Sequence, residues 1–142
     1  MMLHVLLLAA ALAQQPAQPP AAPAAATPET LKNLNFEVFK TQVEPILLKK
    51  RPGNVACVTC HGGGASSQLR LQPLLPGATE WNDEQSHKNF DAIARFVVSG
   101  QPARSRFLRH PLDKEAGGDP FHGGGKHFHS VNDPDIRCWP TG

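Results

Sequence analysis

The chain after residue 35 has the pattern of an amphipathic helix, because apolar residues recur there at intervals of three and four. The residues on this apolar face are Phe36, Phe39, Val43, Ile46 and Leu47. Asn35 is expected to cap the helix, which should run from Phe36 to about Lys49. Pro45 interrupts the pattern, so it should kink the helix or end its first part at Glu44.

A second apolar stripe follows and predicts another helix, which begins at Asp83 or Asn89 and ends at Ser99. The buried side of this helix is expected to consist of Phe90, Ile93, Ala94 and Val97. Gly100 then supplies a stop signal at the carboxyl end, since glycine adopts the backbone conformation that commonly terminates a helix.

Two shorter elements complete the predicted secondary structure. Pro102 should open a helix that reaches about Leu108, and a last turn or helix is expected from Asp133 to Trp139. Residues 110–129 have no periodicity, and no alternating pattern is long enough to build a sheet. The predicted fold class is therefore a small, loop-rich, all-α domain.

The chain before this domain has a different character. Residues 1–13 form a short apolar run that ends in Ala11-Leu12-Ala13, so we expect a signal peptide that is cleaved after Ala13. The run is shorter than the roughly 20 apolar residues that a membrane-spanning helix needs. Residues 14–28 contain only Gln, Pro, Ala and Thr and should form an extended linker. We thus expect a domain over residues 29–142, in the periplasm or otherwise exported, with no stable membrane insertion.

Composition indicates that this domain has a thin core. The chain has no tyrosine, seven phenylalanines and two tryptophans, against 12 glycines and 14 prolines. A small domain of this kind usually needs a disulfide, a metal ion or a large cofactor to be stable. The formal net charge of +2 is too small to indicate nucleic acid or an anionic membrane surface as a partner.

Candidate chemistry is concentrated in the string Cys57-Val58-Thr59-Cys60-His61. Two cysteines separated by two residues and followed at once by histidine form the attachment pattern of a c-type haem. One helical turn would place both thiols along one edge of the porphyrin for thioether formation, and His61 would then reach the iron as the proximal ligand. The sequence therefore predicts one covalent haem c on Cys57 and Cys60.

Other sites can be built from two cysteines at this spacing. A redox dithiol would need a βαβ context, which the pattern lacks. A haem-free zinc module would need two further ligands, which Cys138 and a loop histidine could provide. In the haem interpretation, Cys138 is left over and is expected to be a small buried residue beside Trp139, with an intermolecular disulfide as the alternative.

Composition limits which residues can serve as the second axial ligand of the iron. Met1 and Met2 are the only methionines, and both would leave with the signal peptide, which excludes the His/Met ligation of many cytochromes c. The remaining candidates are His87, His110, His122, His127 and His129. Of these, His87 is expected to be a solvated surface residue, and His129 should share a face with His127, away from Phe128.

Among these candidates we predict His122 as the distal ligand. Three glycines follow it and would let the backbone approach a flat porphyrin without Cβ clashes. His110 and His127 are the alternatives. Whichever histidine binds the iron should be oriented by a group that accepts its other ring N–H, and Asp113, Asp119 or a backbone carbonyl could do so.

The domain resembles the planctomycete-type cytochrome c domains of exported bacterial proteins over about residues 34–139. The matching segments are Val43–Leu47, Cys57–His61, Leu69–Leu71, Gly100–Leu108, His122–Gly125, Phe128 and Trp139. The haem motif is highly specific, and the Gly-Gln-Pro and His-Gly-Gly-Gly elements are moderately so. The resemblance implies a cytochrome c-like helical fold, covalent haem c and electron transfer. The closing segment from Asp133 is shorter than the final helix expected for the family.

The expected function is that of an exported monohaem c-type cytochrome, not an enzyme, which passes single electrons to redox partner proteins through a His/His-ligated haem. A five-coordinate haem sensor or peroxidase-like enzyme is the alternative, with loop histidines as acid-base groups. The haem should form the centre of the core, and the apolar residues expected around it are Phe36, Phe39, Ile46, Leu71, Ile93, Val97 and Leu108.

Overall fold

A computed structural model describes residues 33–63 and 68–138 of the chain. The predicted signal peptide, the linker and Trp139 lie outside the described residues. The elements within them are α1 (Phe36–Val38), a π-helical turn (Phe39–Val43), α2 (Glu44–Leu48), α3 (Cys57–His61), α4 (Asp83–Ala94), a 3-10 turn (Pro102–Arg104), α5 (Arg106–Arg109), a 3-10 turn (Lys114–Ala116) and α6 (Pro134–Arg137). Over these ranges there are helices and no strands, as the all-α prediction requires; Leu112 and Phe128 form one isolated bridge.

The first helical run starts as its sequence predicts and changes its hydrogen-bond pattern before Pro45. Asn35 caps α1, since its side-chain oxygen accepts a hydrogen bond of 3.0 Å from the Val38 N–H. The run continues through Pro45 to Leu48 because the turn before the proline widens into a π-helix, in which the Glu44 N–H reaches the carbonyl of Phe39, five residues earlier. Proline lacks an N–H and its ring clashes in a regular helix, so the irregular turn accommodates Pro45.

Helix α4 begins at Asp83, the earlier of its two predicted starts, and ends earlier than predicted. Asn82 and Gln85 form a reciprocal capping box at its start, which satisfies two backbone N–H groups. The predicted end at Ser99 is wrong, because the helix stops at Ala94. Beyond it the Val98 N–H donates to the Ser105 hydroxyl at 2.9 Å, and tertiary bonds of this kind replace the helical ones.

The segment after Pro102 also differs from the single helix that the sequence predicts. A 3-10 turn covers Pro102–Arg104, and α5 begins only at Arg106, so that Ser105 lies between two short elements. Ser105 is almost completely buried, and its hydroxyl donates to the carbonyls of Val98 and Gln101 as alternatives, both at 3.2 Å. The predicted helix is interrupted at Ser105 because the serine hydroxyl forms hydrogen bonds with the backbone of the preceding segment.

Apolar side chains form two clusters. The first consists of Phe39, Val43, Leu47, Leu71, Trp81 and Ile93. The second consists of Ile46, Leu108, Leu112, Phe128 and Ile136. Helix α2 contributes to both clusters, with Leu47 in the first and Ile46 in the second, and so lies between them.

The short final helix packs against the start of the domain despite its length. Ile136 of α6 joins the same cluster as Ile46 of α2, and Lys49 donates to Asp135 at 3.0 Å. Arg51 pairs with Asp133 and Asp135 as well. One turn of helix is therefore enough here to join the two ends of the described chain. Nowhere in these described ranges does a helix have the length and apolarity that crossing a membrane requires.

Candidate functional site

A cavity of about 650 Å³ lies between the two apolar clusters. Its volume falls in the range of small-molecule and cofactor sites. Val43 and Leu47 of the first cluster and Ile46, Leu108 and Phe128 of the second line its walls. The cavity is thus a mainly apolar space that is bordered by both clusters.

Helix α3 places the candidate attachment residues on the wall of this cavity. Cys57, Cys60 and His61 all line it, which confirms that the motif forms a single helical turn beside one space. Burial raises the pKa of the Cys57 thiol, so the thiol is the stable form of this side chain at neutral pH.

The ring of His61 is held in one orientation by the segment that follows α3. Its Nδ1 lies 2.9 Å from the backbone carbonyl of Leu69. A carbonyl only accepts, so Nδ1 carries the proton and Nε2 carries the lone pair in the neutral ring. The Leu71 N–H donates back to the His61 carbonyl at 3.1 Å. These hydrogen bonds therefore fix the orientation and the tautomer of the His61 ring.

His122 is held in the same tautomer by the glycines that follow it. Its Nδ1 donates to the carbonyl of Gly125, and the Gly125 N–H donates to the carbonyl of His122 at 2.9 Å. The tetrapeptide is thereby closed on itself by two hydrogen bonds, and Gly123 and Gly124 line the cavity. The group that orients His122 is a backbone carbonyl, whereas the carboxylates of Asp113 and Asp119 serve other histidines.

The imidazole rings of His61 and His122 lie close together with nearly parallel planes. Their ring centres lie 6.2 Å apart and their planes are inclined by 16°. Metal–imidazole bonds of about 2.0 Å on opposite sides of one ion would separate the ring centres by roughly 6 Å. Together with the cavity and the two thiols, this spacing fits a haem with two axial histidines.

His110 and His127 lie beside His122 in the same cavity. Their ring centres are 4.9 Å and 5.6 Å from that of His122, in edge-to-face arrangements. Nδ1 of His110 lies 3.2 Å from Asp119. The structure therefore brings all three predicted distal candidates together in one cavity.

Burial affects the charge of this histidine group. It lowers the pKa of His122, with the Gly125 carbonyl opposing the shift and the neighbouring imidazoles adding to it. Burial also lowers the pKa of His127, which is only 7% exposed. Lowered pKa values keep these rings neutral at pH 7, as metal ligation requires.

Three other predicted residues lie away from the cavity. His87 is exposed and stacks on Phe36 with ring centres 3.8 Å apart, as expected for a surface residue. His129 is 81% exposed and pairs with Asp113, so the prediction that it shares a face with His127 is wrong. Cys138 is exposed and not buried as predicted, because it follows the last turn of α6 at the surface.

The predicted cofactor wall needs correction. Ile46 and Leu108 line the cavity, whereas Phe39, Leu71 and Ile93 pack in the first apolar cluster. Part of the remaining lining comes from residues that periodicity did not single out: Phe96, Phe107, Phe121, Phe128 and Arg106. Phe128 is fixed there by Arg51, whose guanidinium carbon lies 4.2 Å from the ring centre.

Gly125→Ala should disturb His122 without touching the cavity. Gly125 has φ of +81°, and an added Cβ would lie 3.2 Å from Oδ1 of Asn54. We expect the substitution to cost about 1–2 kcal/mol of stability, because an L-residue is strained in the left-handed region. Chemical denaturation would measure this cost, and the matched variant Gly53→Ala (φ +75°), with open space around it, isolates the backbone contribution.

The two variants separate the strain of a left-handed backbone from the positioning of His122. If the His122 turn matters to the site, Gly125→Ala should change the visible spectrum of the protein and Gly53→Ala should not. Equal stability losses with unchanged spectra in both would show that the turn does not position the imidazole.

In the described ranges no group of three or more His, Cys, Asp and Glu side chains is arranged to hold a bare metal ion. Comparison with protein-family models, with curated proteins and with solved structures found no match to this chain.

Proposed function

We propose that this chain is an exported monohaem c-type cytochrome that carries single electrons outside the cytoplasm. The observation that carries the proposal is the pair of imidazoles, His61 and His122, with ring centres 6.2 Å apart in a cavity that Cys57 and Cys60 also line. The haem attachment motif and the all-α architecture support the same function.

The two thiols of α3 would attach the cofactor without an oxidant. Each sulfur bonds to one carbon of a haem vinyl group, the thiol hydrogen goes to the neighbouring carbon, and the double bond becomes a single bond. Cys57 and Cys60 lie on one helical turn beside one cavity, so both additions can be made to the same haem.

His61 and His122 would hold the iron through Nε2. The carbonyls of Leu69 and Gly125 fix the orientation of these rings and increase their basicity as ligands. Bound haem iron supplies the one-electron chemistry of this site. With two imidazoles and no thioether sulfur on the iron, the reduction potential should lie below that of a His/Met cytochrome.

One part of the cavity mouth is apolar and accessible. Phe121 is 74% exposed and Val55 is 44% exposed, and both line the cavity. A haem edge framed by these side chains would lie within reach of a docked protein. We therefore assign electron exchange with redox partner proteins to this face, since exposed apolar residues commonly mark interaction sites.

A second candidate function is a five-coordinate haem sensor or peroxidase-like enzyme. The observation that favours it is the presence of His110 and His127 next to His122, since imidazoles near an open iron site can transfer protons. In that case His122 would not bind the iron and the sixth position would stay open to ligands.

Visible spectroscopy of protein matured with haem-attachment machinery separates the two functions. The electron carrier should be low-spin in both redox states, reversibly reducible by one electron and unreactive with carbon monoxide. A high-spin protein that binds carbon monoxide at once would reject the six-coordinate carrier in favour of the second candidate. A colourless protein that binds zinc would reject both.

A further inference from the structure

One charged side chain stands out on the wall of the cavity. Arg106 is the single Lys, Arg, Asp or Glu among the described residues that line it. It is the first residue of α5, whose next two residues, Phe107 and Leu108, line the cavity with apolar side chains. The cationic group is thus attached to the same short helix that forms part of the cavity wall.

Arg106 donates to a neutral side chain, so this hydrogen bond does not compensate the charge of the guanidinium. Its Nη1 donates to Oε1 of Gln68 at 2.7 Å, and Gln68 also lines the cavity. Both residues are exposed, so they lie where the cavity meets solvent. A guanidinium held by a neutral amide keeps further N–H donors for an anion, and its planar fork suits a carboxylate.

We propose that Arg106, oriented by Gln68, binds a propionate carboxylate of the haem. The inference rests on the proposed function, because a haem has two carboxylates on one edge and an otherwise apolar body. An apolar cavity with one cation at its solvent boundary matches that distribution of charge. Arg106 is then a positioning residue that sets which edge of the haem faces the α5 side of the cavity.

Arg104 provides a matched control for Arg106. It is two residues earlier, is exposed, and donates to Oε1 of Gln101 at 2.8 Å, so each arginine pairs with a glutamine. It does not belong to the described lining of the cavity. Arg104→Gln and Arg106→Gln thus remove the same charge from neighbouring exposed sites, and only the second removes it from the cavity.

The test compares these two variants as matured holoprotein at pH 7. Arg106→Gln should lower the reduction potential, because an uncompensated carboxylate near the iron favours the oxidised state, and it should shift the propionate bands of the resonance Raman spectrum. Arg104→Gln should leave both unchanged, and Arg106→Lys should restore most of the potential. Equal potentials and spectra in all variants, or equal shifts in both glutamine variants, would overturn the assignment. That failure occurs in a low-spin protein with covalent haem, whereas failure of the proposed function appears as a protein without covalent haem or with a high-spin haem that binds carbon monoxide.

Discussion

His122→Ala is expected to convert a low-spin haem into a high-spin haem that binds carbon monoxide, while the covalent bonds to Cys57 and Cys60 remain. The physical reason is the loss of one of the two proposed axial ligands, whose ring centre lies 6.2 Å from that of His61. Residues 29–142 contain no methionine that could replace the imidazole. Electronic absorption of the oxidised and reduced protein, with and without carbon monoxide, measures the effect.

Two neighbouring histidines serve as controls for this prediction. His110→Ala and His127→Ala remove imidazoles whose ring centres lie 4.9 Å and 5.6 Å from that of His122. Both variants should stay low-spin. If His110→Ala alone gives the high-spin protein, His110 is the ligand, and the glycine turn after His122 has another role. A double variant of His122 and His110 would show whether the second imidazole replaces the first.

Loss of the thioether bonds should have the largest effect on the amount of folded protein. Cys57→Ser and Cys60→Ser each leave one covalent bond and should reduce the yield of holoprotein, and the double variant should abolish it. Without the haem, the apolar side chains that line the cavity of about 650 Å³ would be left facing water. A small domain has too little stability to lose that burial without unfolding.

Cys138→Ser is the control for the cysteine variants. Cys138 is exposed and follows α6, so its replacement should leave the haem content unchanged. Haem-free protein, by contrast, should lose its near-ultraviolet circular dichroism and keep helical signal, as a molten state does. Cooperative unfolding of the haem-free protein at the holoprotein's midpoint would contradict the claim that the cavity needs its cofactor.

Local signals in the sequence were sufficient for the start of the first helix, where Asn35 caps α1 as predicted. They left the second start open between Asp83 and Asn89, and the structure places it at Asp83, where Asn82 and Gln85 form the capping box. The helix end at Ala94 could not be predicted from local signals. Phe96 turns out of the helix because its carbonyl accepts the Phe107 N–H at 3.1 Å, a contact that no local pattern encodes.

The candidate site was likewise predicted where its sequence signal is local and missed where it is not. The motif from Cys57 to His61 is local, and its placement on one helical turn followed from spacing alone. The cavity wall was predicted poorly because Phe96 and Phe128 come from irregular segments, where periodicity carries no information. Phe39 and Ile93 do lie on buried helix faces, as predicted, but those faces pack against each other in the first cluster.

The measurement that tests the central claim most directly is the intact mass of the exported protein after treatment with a thiol reagent. We expect a chain that begins at Gln14, carries one haem, and reacts at Cys138 but not at Cys57 or Cys60. A chain without added haem, in which all three cysteines react, would contradict the assignment of this domain as a c-type cytochrome.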